Sequence, residues 1–128
     1  MKSIANHIQT HADALNLRAK RNEILASNIV NAATPNFKAR DIDFNKALQA
    51  RMDIGPVNVS NERHFKFFTG TGDEAAQFRQ SINPSLDGNT VELHVEQMQF
   101  SENVMRYQTS LEFLNRKFSG LVSAIKGE

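Results

Sequence analysis

The chain has no cysteine and no tryptophan, and only three prolines in 128 residues. Without thiols there are no disulfides, no thiolate metal sites and no cysteine nucleophile. A cysteine-free chain suits either side of a membrane, so the compartment stays open. Neither sign of charge dominates: 15 Lys and Arg face 14 Asp and Glu, a net charge of +1. That balance argues against a dedicated nucleic-acid binder, which carries a basic excess. No run of eighteen apolar residues occurs, so no helix-spanning membrane segment is expected. The first twenty residues lack a continuous apolar core, so no cleavable secretory signal is expected.

Helix breakers are missing from both ends. Residues 3–33 contain neither Gly nor Pro, and residues 89–126 contain only Gly120. Pro35, Pro56 and Pro84 lie between, with Gly55, Gly70, Gly72 and Gly88. The pattern predicts a mainly α chain: a helix over 1–34, an irregular, partly β middle over 35–88, and a helix over 89–128.

Phe100, Val104, Tyr107, Leu111, Leu114, Phe118, Leu121 and Ile125 alternate spacings of four and three, a heptad seam. Asn89 followed by Glu92 reads as a capping box that starts this helix near Thr90. Alternating Val91, Leu93 and Val95 allow a short strand instead. In the first segment Ala5, Ala12, Ala19, Ala26 and Ala33 recur every seven residues beside Ile8, Leu15, Asn22 and Ile29. Alanines at this period admit a close neighbour helix, and Asn22 can fix register.

As helices, residues 3–33 and 90–126 would be about 46 and 55 Å long. A compact chain of this length is only roughly 36 Å across. An elongated helical pair that needs neighbours to finish its core therefore fits better than a small bundle, the alternative in which one helix breaks.

In the middle, Thr34-Pro35-Asn36-Phe37 predicts a type II turn, with Asn36 in the left-handed conformation. Val57–Ser60 and Arg63–Thr69 read as a hairpin, with Phe65, Phe67, Phe68 and Phe78 as apolar anchors. Asp87-Gly88 is a turn before the last helix.

Little of this carries catalytic chemistry. His7 and His11 share a helix face, but Ile8 stands where a metalloprotease needs Glu. Asp41 and Asp43 alternate with Ile42 and Phe44, a solvated face against a packed one rather than a calcium loop. Gly70-Thr71-Gly72 lacks the rest of a phosphate loop. No nucleophile elbow is present. No catalytic, cofactor or metal residues are therefore assigned. Arg18, Lys20 and Arg21 form a basic cluster, either a contact to an acidic neighbour in an assembly or a solvated face.

The run Leu15–Phe44, with LASNIVNAATPNF (residues 25–37) at its centre and KARDIDF after it, resembles the signature of the bacterial flagellar rod, hook and hook-associated axial proteins. Pro84–Val91, Glu102-Asn103 and Arg106-Tyr107 are similar to its proximal-rod branch. Where that family usually has Asp, Gly and Tyr, this chain has Ala33, Asn36 and Phe37. Phe37 lacks the hydroxyl.

The resemblance implies an inner coiled-coil domain made by both terminal helices. It implies copies stacked into a hollow rod, and type III export without a cleaved signal. Implied partners are further copies, other rod proteins, a basal-body adaptor, the MS-ring protein and the export gate. On this reading Ser27, Asn28, Asn31, Thr34, Pro35, Asn36, Phe37, Asp87, Gly88 and Asn89 are motif and turn residues, and the two apolar stripes are assembly surfaces. A soluble helical binding module, such as a secretion chaperone or adaptor, is the alternative.

Overall fold

The computed structural model describes residues 2–53 and 76–127. Helix α1 spans Lys2–Val30 and helix α3 spans Leu93–Lys126. Between them lie strand β1 (Arg40–Ile42), helix α2 (Phe44–Asp53) and strand β2 (Ala76–Phe78). At 29 and 34 residues the long helices extend about 44 and 51 Å. They run antiparallel: Asn28 meets Glu96, Asn22 meets Asn103, and the rings of His11 and Phe113 lie 4.9 Å apart.

α1 ends earlier than the expected residue 34. Its last turn tightens, with Asn31 N–H shared between the Ser27 and Asn28 carbonyls and Ala32 N–H reaching Ile29 O. α3 starts at Leu93 rather than near Thr90, and the Asn89–Glu92 capping box does not form: N-cap Glu92 makes no side-chain cap. The Glu92 carboxylate accepts from Asn83 N–H at 3.3 Å instead. Asn89 is drawn away to α1, as described below.

The middle contains a helix that the breaker pattern concealed. α2 begins where Asp43 Oδ1 accepts Lys46 N–H at 3.2 Å, an N-cap. Arg18 stacks over the Phe44 ring at 4.2 Å and Arg51 reaches Asp13 O, which lays α2 along α1. β1 pairs with β2 antiparallel, Ile42 opposite Ala76 and Arg40 opposite Phe78. Ile42 is buried and Asp41 is not, as the Asp/apolar alternation predicts. Phe78 is exposed rather than an anchor. The expected hairpin over Val57–Thr69, with Phe65, Phe67 and Phe68, lies outside the described residues.

Among the described residues, full burial lies between the end that carries Asn89 and the middle of the hairpin. Leu17, Leu25, Asn28, Ala39, Ile42, Asn89, Glu96 and Asn103 are the buried side chains among the described residues. No residue of α3 beyond Asn103 is buried.

Candidate functional site

The signature run and the segment before α3 close on each other as a clasp. Phe37 N–H reaches Thr34 O at 3.3 Å across Pro35 and Asn36, and Asn36 holds φ 61°. This is the type II turn expected of those residues. Asn36 N–H donates to Asp87 O at 3.0 Å, and Thr90 N–H donates to Phe37 O at 3.0 Å. Gly88 has φ 74°, and a methyl group there would stand 2.6 Å from Asn36 Oδ1. Its handedness requires glycine, and a methyl group would also push the Asn36 side chain aside. Lys38 Nζ donates to Gly88 O, and Thr90 Oγ1 accepts Ala39 N–H at 2.8 Å.

Asn89 is the bolt. Its buried Nδ2 faces three carbonyls at the end of α1: Asn31 O at 3.0 Å, Ala32 O at 2.9 Å and Thr34 O at 3.0 Å. They lie in the turn just past α1, where Asn31 O and Thr34 O also accept the N–H groups of Thr34 and Phe37. Its Oδ1 accepts Val91 N–H at 2.8 Å. Asp87 supports the turn, accepting from the Ser85 hydroxyl at 2.6 Å and from Asn89 N–H at 3.0 Å. Those bonds, the hydroxyl first, hold its carboxyl below the ordinary value of 3.8.

Asn28 ties α1 to β1 and α3. Its Oδ1 accepts Arg40 N–H, and its Nδ2 donates to Arg40 O at 2.7 Å, as a neighbouring strand would. The same Nδ2 reaches Glu96 Oε2 at 3.1 Å, and Arg79 Nη1 lies 3.0 Å from Glu96 Oε1. A buried carboxylate on α3 thus meets an amide from α1 and a guanidinium from the end of β2. Removing one partner of such a pair costs far more than the pair contributes net.

The remaining crossings are polar as well. Asn103 Nδ2 donates to Arg18 O and to Asn22 Oδ1, each at 2.8 Å. Arg21 forks onto Asp41 with bonds of 2.8 and 2.9 Å and also reaches Gln99. The Asp41 bond raises the Arg21 pKa, while burial, then repulsion from Arg106 and Arg21, lowers that of Arg18. The basic cluster is therefore engaged within the chain: Arg18 on Phe44, Arg21 on Asp41 and Lys20 beside Glu23 at 3.5 Å.

Of the residues expected on assembly faces, Asn22 lies between the helices. Ile8, Ala12, Leu15, Ala19, Ala26 and Ile29 are half-buried. On α3 the heptad stripe divides. Phe100, Tyr107, Leu114 and Leu121 are half-buried, whereas in the column Val104, Leu111, Phe118 and Ile125 only Val104 is so covered. Glu96, Gln99, Asn103 and Phe113 are among the positions that meet α1. Sequence reasoning missed Glu96 and Arg79 and named Asn103 only within the Glu102-Asn103 motif; the seven-residue spacing of Glu96 and Asn103 was a further available signal. Among the motif residues, Asn28, Asn31, Thr34, Asn36, Phe37, Asp87, Gly88 and Asn89 come together in the clasp. Ser27 contributes its carbonyl, and Pro35 is exposed. His11 packs on Phe113; the side chain of His7 lies outside the described residues.

A long hairpin bolted at one end by amides, with its apolar stripes part-covered beyond, has the form of a structural subunit. Comparison with known proteins agrees. The family described as "Flagella basal body rod protein" matches residues 8–38. A "Flagellar basal body rod protein FlgB" of Cereibacter sphaeroides is 52% identical over 128 residues, covering 100% of both chains. The protein of that name from Aeromonas hydrophila is 47% identical over 122 residues, covering 92% of this chain and 91% of its own. That from Escherichia coli K12 is 39% identical over 122 residues, covering 89% and 88%. The chain belongs to the FlgB family of flagellar basal body rod proteins, which are structural components and not enzymes. No described helix is long and apolar enough to cross a membrane.

Proposed function

We propose that this chain polymerises helically, through the apolar faces of α1 and α3, into the proximal rod, part of the hollow drive shaft for flagellar motility. The observation that carries the reading is the far half of α3. Leu111, Phe118, Val122 and Ile125 are between 38% and 85% exposed on one helix. Burial of such side chains is worth about 25 cal/mol per Å². A single chain forgoes that stabilisation, and a neighbour recovers it.

Export and assembly follow from the same property. The chain passes unfolded or loosely helical through the flagellar type III apparatus. Neighbours then order the far helix halves at the rod end. The unit over 1–34 and the unit over 89–128 form the inner coiled coil, and residues 35–88 face other subunits. The partners are copies of itself, other rod proteins, the basal-body adaptor, the MS-ring protein and the export gate. The sequence resemblance supports these partners, and the names of the relatives support assembly within the basal body rod.

Leu111→Asp in the full chain tests the reading. The exposed position leaves the clasp intact, so helicity by circular dichroism is retained while swimming is lost. Normal swimming would show that this face is not used in assembly.

A further inference from the structure

We infer that Asp87-Gly88 is an isoaspartate site gated by the clasp: the closed clasp blocks the rearrangement, an open one permits it, and a rearranged chain cannot close the clasp again. Assembly of copies plays no part in it.

The sequence holds one Asp-Gly pair, at 87–88, and no Asn-Gly pair. Glycine after aspartate leaves its nitrogen open to the carboxyl, because no side chain obstructs the approach. In the rearrangement the Gly88 nitrogen attacks Asp87 Cγ. The N–Cγ bond forms, the nitrogen loses its proton and the protonated carboxyl gives up its OH. One water leaves and a five-membered imide remains. Water then adds to one of the two imide carbonyls. Breaking the N–Cγ bond restores aspartate. Breaking the bond from the nitrogen to the Asp87 main-chain carbonyl carbon instead leaves the chain running through Cγ, one methylene longer. The former main-chain carbonyl becomes a free carboxylate. One water has left and one has returned, so mass and oxidation state are unchanged.

The structure occupies both reacting groups. Gly88 N–H donates to Ser85 O at 3.2 Å. Asp87 Oδ1 accepts the Ser85 hydroxyl at 2.6 Å and Asn89 N–H at 3.0 Å. The same bonds, the hydroxyl first, hold the carboxyl ionised, the form that cannot lose its OH as water. The flanking peptides are held as well. Asp87 O accepts Asn36 N–H at 3.0 Å, and Gly88 O accepts Lys38 Nζ at 2.6 Å. Bringing the nitrogen onto Cγ therefore means opening the clasp first. The product is incompatible with closure for a related reason. The extra methylene lies between Asp87 Cα and Gly88, inside the stretch whose ends bind Asn36 and Phe37. With it in place, the bonds from Asn36 N–H to Asp87 O and from Thr90 N–H to Phe37 O cannot both form, and Asn89 is displaced from its carbonyls.

The test ages the full chain at neutral pH, in buffer and in concentrated guanidinium chloride. Isoaspartate at position 87 is read by electron-transfer fragmentation, which tells it from aspartate at equal mass. Formation is expected to be about 30-fold slower in buffer, the factor that two ordinary hydrogen bonds represent. Ser85→Ala changes no group next to the 87–88 bond. It is expected to match the natural chain in guanidinium and to outpace it several-fold in buffer. Equal rates for the natural chain in the two solvents, no isoaspartate in guanidinium, or a Ser85→Ala chain as slow as the natural one in buffer each overturns the gate. The rearranged chain, separated and returned to buffer, gives a further reading. Fast deuterium exchange at the Asn36 and Thr90 amides is expected where the natural chain is protected; equal protection overturns the claim that the clasp cannot close again.

Discussion

Replacing Asn89 by alanine removes a buried amide that serves both long helices. Its Nδ2 has two hydrogens to share among the carbonyls of Asn31, Ala32 and Thr34, and its Oδ1 holds Val91 N–H. Three hydrogen bonds at about 1 kcal/mol each give a loss of about 3 kcal/mol. For a domain of this size that is ~12 °C in Tm. Thermal melting followed by circular dichroism at 222 nm measures it. Asn89→Asp separates the mechanism from simple loss of volume. Aspartate keeps the bond to Val91 N–H but aims a carboxylate at three carbonyls on the negative end of α1. It is therefore less stable than Asn89→Ala at pH 7. A shift under 2 °C for Asn89→Ala, or an aspartate variant more stable than the alanine one, would refute the capping argument.

Gly88→Ala forces a Cβ into a left-handed position 2.6 Å from Asn36 Oδ1. It loses about 1–2 kcal/mol from backbone strain alone, and Asn36→Gly in the same chain partly restores the melting temperature by removing the clash. Glu96→Ala leaves Arg79 without its buried partner and loses about 3 kcal/mol, measured by the urea midpoint; Glu96→Gln, which keeps an acceptor for Asn28, loses less. Asp87 has its carboxyl held below 3.8 by Ser85 and Asn89 N–H, so its stabilising effect is complete above pH 3.8 and fades as pH falls through the lower folded value. Ser85→Ala removes the larger cause, and NMR titration of the Asp87 carboxyl will show its midpoint rise; an unchanged midpoint contradicts the assignment. Arg21→Ala and Asp41→Ala, each alone and combined, yield a coupling energy of about 1 kcal/mol in a double-mutant cycle.

What was legible in the sequence was local or periodic. Absence of Gly and Pro marked α1 and α3, and Pro35-Asn36 marked the turn. The alternation from Asp41 to Phe44 identified Ile42 as buried. What was hidden depended on distant partners. Asn89 and Glu92 have the spacing of a capping box, but the carbonyls of α1, more than fifty residues upstream, capture the Asn89 amide. Three-residue strands such as β1 and β2 have no signature of their own, since pairing alone defines them. α2 is ten residues long, too short for its periodicity to stand out in a stretch rich in breakers. Glu96 and Asn103 occupy positions that heptad logic reserves for apolar residues. Their burial follows from Asn28, Arg79, Arg18 and Asn22, which no local pattern connects to them. Apolar residues around them then read as the inner seam, although their outward column is left for other contacts.

The central claim is that the clasp folds within one chain and that neighbours complete the far half of α3. Amide hydrogen exchange, compared between the dilute full chain and the same chain in isolated basal bodies, tests it most directly. Residues 21–30 and 93–103 should be protected in both states, and residues 110–126 only in the basal body. Equal protection of residues 110–126 in the dilute chain, or none in either state, would contradict the account.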